Sequence, residues 1–340
     1  MIIEMEKNAT REEIKDVINV VINDFKFEAQ VNTGEERTVI AVLGSNTGDI
    51  DTQSFEVLSG VERVVRIQRP FKLASRDFKP ENTIVKIDNI EIGGKELIIM
   101  AGPCSVESEE QIIGCAFAAK KSGAKVLRGG AFKPRTSPFA FQGLKEEGLK
   151  FLFKAGLEAE LLIVTEVVSS QDVELVASYA DILQIGARNM QNYQLLEAVG
   201  KSKKPVLLKR GLSATIEEWL MAADYILRGN GEPKVILCNR GIRTFDNFTR
   251  FTYDVGILPG VRHLTHLPII TDPSHAAGNY RYVPDFAKMA VVGGADGLIV
   301  EIHPNPKKAM SDGAQSLTFS DFSLLMEELK KIAEVVGRKI

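Results

Sequence analysis

The chain has 340 residues, of which 44% are hydrophobic and 26% charged, with a formal net charge of −3 at pH 7. That is the composition of an ordinary folded protein, too long for one typical domain. The mildly acidic balance argues against bulk binding to nucleic acid or to an anionic membrane, so anionic ligands must be met by local clusters of Lys and Arg.

No stretch approaches about 18 consecutive apolar residues, and MIIEMEKNATREE lacks an apolar signal core, so no membrane partner is expected. Cys104, Cys115 and Cys238 are odd in number and without framework spacing, which fits reduced thiols and a cytoplasmic enzyme.

Residues 1–70 read as β-α-β-β-α-β. Ile2–Met5 opens as a short strand. Thr10 precedes Glu13 at capping-box spacing, and Ile14, Val17, Ile18, Val21 and Phe25 follow at helical intervals. Phe27, Ala29 and Val31 alternate, Thr38–Leu43 is a β-rich run, a short helix is predicted around Ile50–Leu58, and Val61–Ile67 closes the set. This order matches a ferredoxin-like module and contains neither Cys nor His. It reads either as a packing or oligomerisation module or as a regulatory ligand domain. Residues 71–96 are expected to hold a polar linker, Ser75–Asn82, and a hairpin of Thr83–Ile87 and Ile90–Ile92.

From residue 97 to 340 the rhythm changes. Eight short apolar runs recur, at Leu97–Met100, Val126–Leu127, Leu161–Val164, Ile182–Ile185, Pro205–Leu208, Val235–Leu237, Pro268–Ile270 and Gly297–Val300. Helices are predicted between and after them, over Glu107–Lys121, Leu144–Ala155, Ser170–Ala177, Met190–Ala198, Thr215–Leu227, Asp285–Val292 and Asp321–Val336. Eight β-α units without a Rossmann glycine fingerprint predict a closed (β/α)8 TIM barrel, here preceded by the small α+β domain.

Ionisable side chains collect after the carboxyl ends of the runs: AGPCSVE, RGGAFKPRTS, TE, GARN, KRG, CNRG, TDPSH and EIHP. Barrel active sites are built at that end. Cys104, His275, Glu301 and Asp312 form one candidate set, whose thiolate, imidazole and carboxylates suit one divalent transition metal ion, Mn, Fe, Zn or Co, better than Mg or Ca. Arg128, Lys133, Arg135, Arg188, Lys209 and Arg240 form a second. Guanidinium forks suit phosphate and carboxylate, and in KPRTS the hydroxyls of Thr136 and Ser137 beside Arg135 read as a phosphate cradle. Glu166 and Asp272 can absorb two of these charges as ion pairs, but not six. Cys115 and Cys238 read as packing residues, and His303 as a support near the mouth.

The motifs GPCSVE, LRGGAFKPRTSP, FQGL, IGARN, LLKRG, DPSH and SDGAQS occur in the family order of the 3-deoxy-D-arabino-heptulosonate 7-phosphate (DAHP) synthases. The chain resembles their short type with an N-terminal ferredoxin-like extension. The resemblance implies condensation of phosphoenolpyruvate with erythrose 4-phosphate and makes Cys104, His275, Glu301 and Asp312 the metal ligands. Arg128, Lys133, Arg188, Lys209 and Arg240 would hold phosphoenolpyruvate, and Arg135, Thr136 and Ser137 the phosphate of the sugar. Lys133 and Glu166 are the expected acid–base residues. It also implies a homotetramer and an inhibitory tyrosine or phenylalanine effector.

Three alternatives stand beside this reading. A related octulosonate 8-phosphate synthase shares the barrel but typically has a KANRSS-like segment in place of KPRTS. A Schiff-base aldolase would use Lys209 or Lys133, and a sugar-phosphate sensor would have lost catalysis.

Overall fold

The computed structural model describes residues 1–34, 37–44, 47, 50–66, 69–133, 139 and 141–340. They form two compact units, residues 1–82 with 263–266, and residues 83–262 with 267–340.

In the first unit, β1 (Ile2–Met5), β2 (Glu28–Thr33), β3 (Thr38–Leu43) and β4 (Val61–Val65) make an antiparallel sheet in the order β2-β3-β1-β4. With α1 (Arg11–Asn19) and α2 (Gln53–Glu56) this is the expected ferredoxin-like order. The capping box is present: Glu13 N–H donates to Thr10 Oγ1 at 3.2 Å, and Thr10 N–H donates to Glu13 Oε2 at 2.8 Å. Alternation along β1 and helical spacing along α1 bring Ile3, Met5, Val17 and Val21 into one core with Ile40, Val42 and Phe55. Two helices differ from expectation. The first loosens into a π turn over Val20–Asp24, where Phe25 N–H bonds to Val20 O, and the second shortens to a single turn. Within residues 71–82, Phe71, Leu73, Ala74 and Phe78 are buried, and His266 Nε2 lies 2.8 Å from Leu73 O.

The second unit begins with the expected hairpin, β5 (Val85–Ile87) and β6 (Ile90–Ile92). Eight parallel strands follow: β7 (Ile98–Gly102), β8 (Val126–Arg128), β9 (Leu162–Glu166), β10 (Ile182–Ile185), β11 (Val206–Lys209), β12 (Val235–Asn239), β13 (Ile269–Thr271) and β14 (Gly297–Glu301). They close into a barrel when β14 pairs with β7, placing Glu301 opposite Gly102. The strands read as continuous apolar runs because helices cover one face and packed side chains the other. Val85 and Ile92 of the hairpin share the interior cluster with Ile98, Val126 and Ile270, and Gly93 lies against Pro268, just before β13. The hairpin therefore plugs the amino-terminal end of the barrel.

The surrounding helices are α3 (Glu109–Lys121), α4 (Lys145–Ala159), α5 (Val173–Tyr179), α6 (Tyr193–Lys201), α7 (Ile216–Asn230), α8 (Ile257–Leu264), α9 (Pro273–Ala277), α10 (Val283–Val292) and α11 (Phe319–Val335). Two were not predicted. α8 carries Pro259 and Gly260, both poor helix formers, within its span, and α9 is a single short segment with Pro273 at its start. No helix among the described residues is long and apolar enough to cross a membrane.

Candidate active site

Arg128, Glu166, Lys209 and Glu301 are the last residues of their strands rather than residues just past them, so the most rigid part of the barrel aims them. Because β14 lies between β13 and β7, Cys104 after β7, His275 in α9 after β13 and Glu301 meet over one quadrant of the mouth. Asp312 joins them from a left-handed residue, φ 51°, that opens a 3-10 turn over Gly313–Gln315.

The donor atoms of Cys104, Glu301 and Asp312 all lie within 4.8 Å of one another. His275 Nε2 is 3.6 Å from Glu301 Oε1 and 3.7 Å from Asp312 Oδ2. Ligands held about 2.0–2.3 Å from one ion sit roughly 3–4.6 Å apart, so Cys104, Glu301 and Asp312 suit a single divalent cation, with His275 Nε2 within that spacing of the two carboxylates. Burial, reinforced by Glu301, pushes the Cys104 thiol up to about 11, so a bound cation would displace its proton. Burial lowers the pKa of His275, which leaves a neutral imidazole with a free lone pair. Burial acts to raise Glu301 and Asp312, but their positive neighbours outweigh it: His275 whenever its ring is protonated, and the guanidinium of Arg128 beside Glu301 and of Arg250 beside Asp312. Both stay ionised, with Asp312 at about 2.

Cations surround this cluster. Arg128 donates to Glu301 Oε1 at 2.5 Å, and Lys133 Nζ donates to Cys104 O at 3.0 Å and approaches Sγ at 3.1 Å. Lys209 is paired with Asp272. The same carboxylate caps α9 by accepting from His275 N–H at 2.9 Å, and it lies 2.7 Å from His275 Nδ1 without hydrogen-bond alignment. Arg240 stacks 3.6 Å from the centroid of Phe251, and its buried Nη1 has no protein partner. Burial lowers Arg240 to about 10, still protonated at neutral pH. A buried guanidinium whose nitrogen has no partner among the described residues, on a residue that lines a cavity, suits an anion.

The cavity holds about 410 Å³ and is lined by Arg128, Lys133, Arg188, Lys209 and Arg240, with Glu166, His275 and Asp312. Glu166 Oε1 packs so closely over Gly186 that a Cβ there would lie 2.0 Å away and would push the carboxylate aside. Arg243, Arg250 and Phe251 of the loop after β12 also line it and were missed in the sequence. The available signal was RGIRTFDNFTR, which adds two arginines to the one following a strand. Seven lining cations face two lining carboxylates, with Glu301 and Asp272 behind them, so the cavity is built for anions. Arg135, Thr136 and Ser137 lie outside the described residues. His303 pairs with Glu107 at 3.3 Å, away from the donor cluster, and Cys115 and Cys238 are buried in the packing.

The sequence model of the DAHP synthetase I family matches residues 53–336. The chain belongs to the DAHP synthetase I family. Residues 1–69 match a DAHP synthase ferredoxin-like domain. The chain is 46% identical to a phospho-2-dehydro-3-deoxyheptonate aldolase of Thermotoga maritima, over 340 residues and the full length of both proteins. A crystal structure of that name from the same organism superposes with a TM-score of 0.79 at 46% identity, covering 99% of this chain and 98% of the other. A 2-dehydro-3-deoxyphosphooctonate aldolase of Burkholderia multivorans is 30% identical over 278 residues, 75% of this chain and 97% of that one. The full-length match places this DAHP synthetase I member on the heptulosonate side. Its activity is DAHP synthase activity, the condensation of phosphoenolpyruvate with erythrose 4-phosphate that opens the shikimate pathway.

Proposed function

We propose that the condensation depends on a divalent transition cation held by Cys104, His275, Glu301 and Asp312, with both substrates bound by the surrounding cations. The observation that carries this reading is the cluster of Cys104, Glu301 and Asp312, with His275 close to both carboxylates, at the edge of a cavity with an excess of positive charge. When bound, the cation supplies Lewis-acid polarisation of the aldehyde oxygen.

The chain's own residues do the rest. Arg128, Lys133, Arg188, Lys209 and Arg240 hold the phosphate and carboxylate of phosphoenolpyruvate, and the unpartnered Nη1 of Arg240 gains its acceptor. Arg135, Thr136 and Ser137 take the phosphate of erythrose 4-phosphate. These charges offset the repulsion between two anions and hold the methylene carbon of phosphoenolpyruvate against the aldehyde. Lys133 delivers the proton to the new hydroxyl, with Glu166 facing the same space. Water adds at the central carbon, and the tetrahedral phosphate ester expels inorganic phosphate.

Phosphate release tests the reading. Erythrose 4-phosphate should support it and arabinose 5-phosphate should not. Because water attacks carbon, heavy oxygen placed at the bridging position of phosphoenolpyruvate should leave with inorganic phosphate. Label retained in the sugar would indicate attack at phosphorus, and no release at all would favour the sensor.

Residues 1–70, free of Cys and His, suit feedback regulation by tyrosine or phenylalanine, in a cytoplasmic homotetramer. Inhibition requires the effector to bind the inhibited arrangement more tightly than the active one. Full-length enzyme should be inhibited by one of these amino acids, and a chain beginning at Pro70 should remain active and insensitive. Pro70 is preferred to a later start because His266, held at about 4 mainly by burial, keeps its Leu73 carbonyl partner. A truncated form of the Thermotoga maritima synthase matches 79% of this chain with a TM-score of 0.74, which supports folding of such a piece. Equal inhibition of both chains would move the effector site elsewhere.

A further inference from the structure

We infer that Gln315 is a positioning residue for the cation site, a role that rests on the reading of Cys104, His275, Glu301 and Asp312 as its ligands. Gln315 is 1% exposed, and its carboxamide joins two charged groups. Its Oε1 accepts from Arg250 Nη1 at 2.6 Å, and its Nε2 donates to Glu301 Oε2 at 2.6 Å. The amide can point only one way, since a guanidinium only donates and an ionised carboxylate only accepts. The same Arg250 nitrogen reaches Asp312 Oδ1 at 3.2 Å.

Two carboxylates that repel each other are thus tied to one connector. Glu301 is fixed in rotation, with Oε2 on Gln315 and Oε1 on Arg128, and Oε1 is the oxygen 3.6 Å from His275 Nε2. Asp312 has Oδ1 on Arg250, which leaves Oδ2 facing Cys104 Sγ at 3.3 Å and His275 Nε2 at 3.7 Å. The backbone sets the connector's place. Gln315 N–H bonds to Asp312 O at 3.2 Å, and Leu317 N–H bonds to Glu301 O at 2.9 Å, so one short turn links both acidic residues.

A carboxamide is the side chain this position requires. Glutamate has nearly the same shape but would set a third carboxylate against Glu301, with no donor. Methionine fills the space but leaves Glu301 Oε2 without its donor and Arg250 with Asp312 alone. Simple attraction between charges therefore predicts tighter cation binding for Gln315→Glu, whereas a positioning role predicts weaker binding.

The test is calorimetric titration of cation-stripped full-length protein with Co2+ alone, alongside the thiolate-to-cobalt absorption of Cys104. Wild type should bind one Co2+. Gln315→Met and Gln315→Glu should each weaken binding about 10- to 100-fold and shift the absorption, with far-UV circular dichroism unchanged. Binding by folded Gln315→Glu as tight as wild type, or tighter, would overturn the positioning role while leaving the ligand reading intact. Failure of wild type to bind stoichiometric Co2+ would overturn both.

Discussion

Cys104→Ala should lower turnover by about 1,000-fold or more and abolish stoichiometric cation binding, while the barrel stays folded. Polarisation of the aldehyde by a cation is worth several kcal/mol, and roughly 4 kcal/mol corresponds to that factor. Cys104 is the one soft ligand of the four; of its other neighbours, Lys133 lines the cavity, and Ser311 Oγ at 3.0 Å is a small hydroxyl that tolerates the loss of a weak thiol partner. Exhaustive chelation of wild type should have the same effect, with activity restored by more than one of Mn, Fe, Zn and Co.

The protonation states fix a pH dependence. With the thiol raised to about 11, His275 neutral and both carboxylates ionised, binding releases close to one proton. Cation affinity should therefore rise about tenfold per pH unit between pH 7 and 9, which calorimetry in two buffers of different ionisation enthalpy would measure. Full turnover in demetallated enzyme would sink the cation reading.

Lys133→Met should cost about 100- to 10,000-fold in kcat, the usual range for loss of a positioned proton-transfer group. Cys104, Glu301 and Asp312 keep their donor atoms in this variant, so Co2+ should still bind. The sign of the Lys133 shift matters here. Burial works to lower its pKa, but the charge of Cys104 in its thiolate form, the form a bound cation would hold, and that of Glu166 outweigh burial and hold it above the ordinary lysine value. Its Nζ is thus an ammonium at neutral pH, suited to donate a proton and unsuited to attack a carbonyl. Borohydride with either substrate should leave the protein mass unchanged. A reduced adduct on Lys133 would restore the Schiff-base alternative, and a variant with normal kcat would move the proton donor elsewhere.

The barrel was legible because its strands are buried on both faces and so leave unbroken apolar runs, whereas α8 hid behind Pro259 and Gly260. Candidate metal ligands could be found from chemistry, since thiol, imidazole and carboxylate after neighbouring strands have few other uses. Arg243, Arg250 and Gln315 could not. They lie well beyond strand ends, where loop composition hides them, and only the fold shows that the loop after β12 and the turn after Asp312 converge on the cavity. Asp272 was legible as a countercharge, but its cap on α9 and its approach to His275 required coordinates.

The hairpin of Val85–Ile87 and Ile90–Ile92 has a consequence for traffic. By packing Val85 and Ile92 into the interior cluster, it closes the amino-terminal end of the barrel among the described residues and leaves traffic to the carboxyl-end mouth. Two phosphorylated substrates and water must arrive, and a heptulose phosphate and free phosphate must leave, through the same doorway between the carboxyl-end loops. A substrate that settles deep against Lys209 and Arg240 is then trapped beneath the one that follows. Ordered entry, with the deep phosphate leaving only after the sugar above it has gone, is the order that a sealed floor imposes without any moving part.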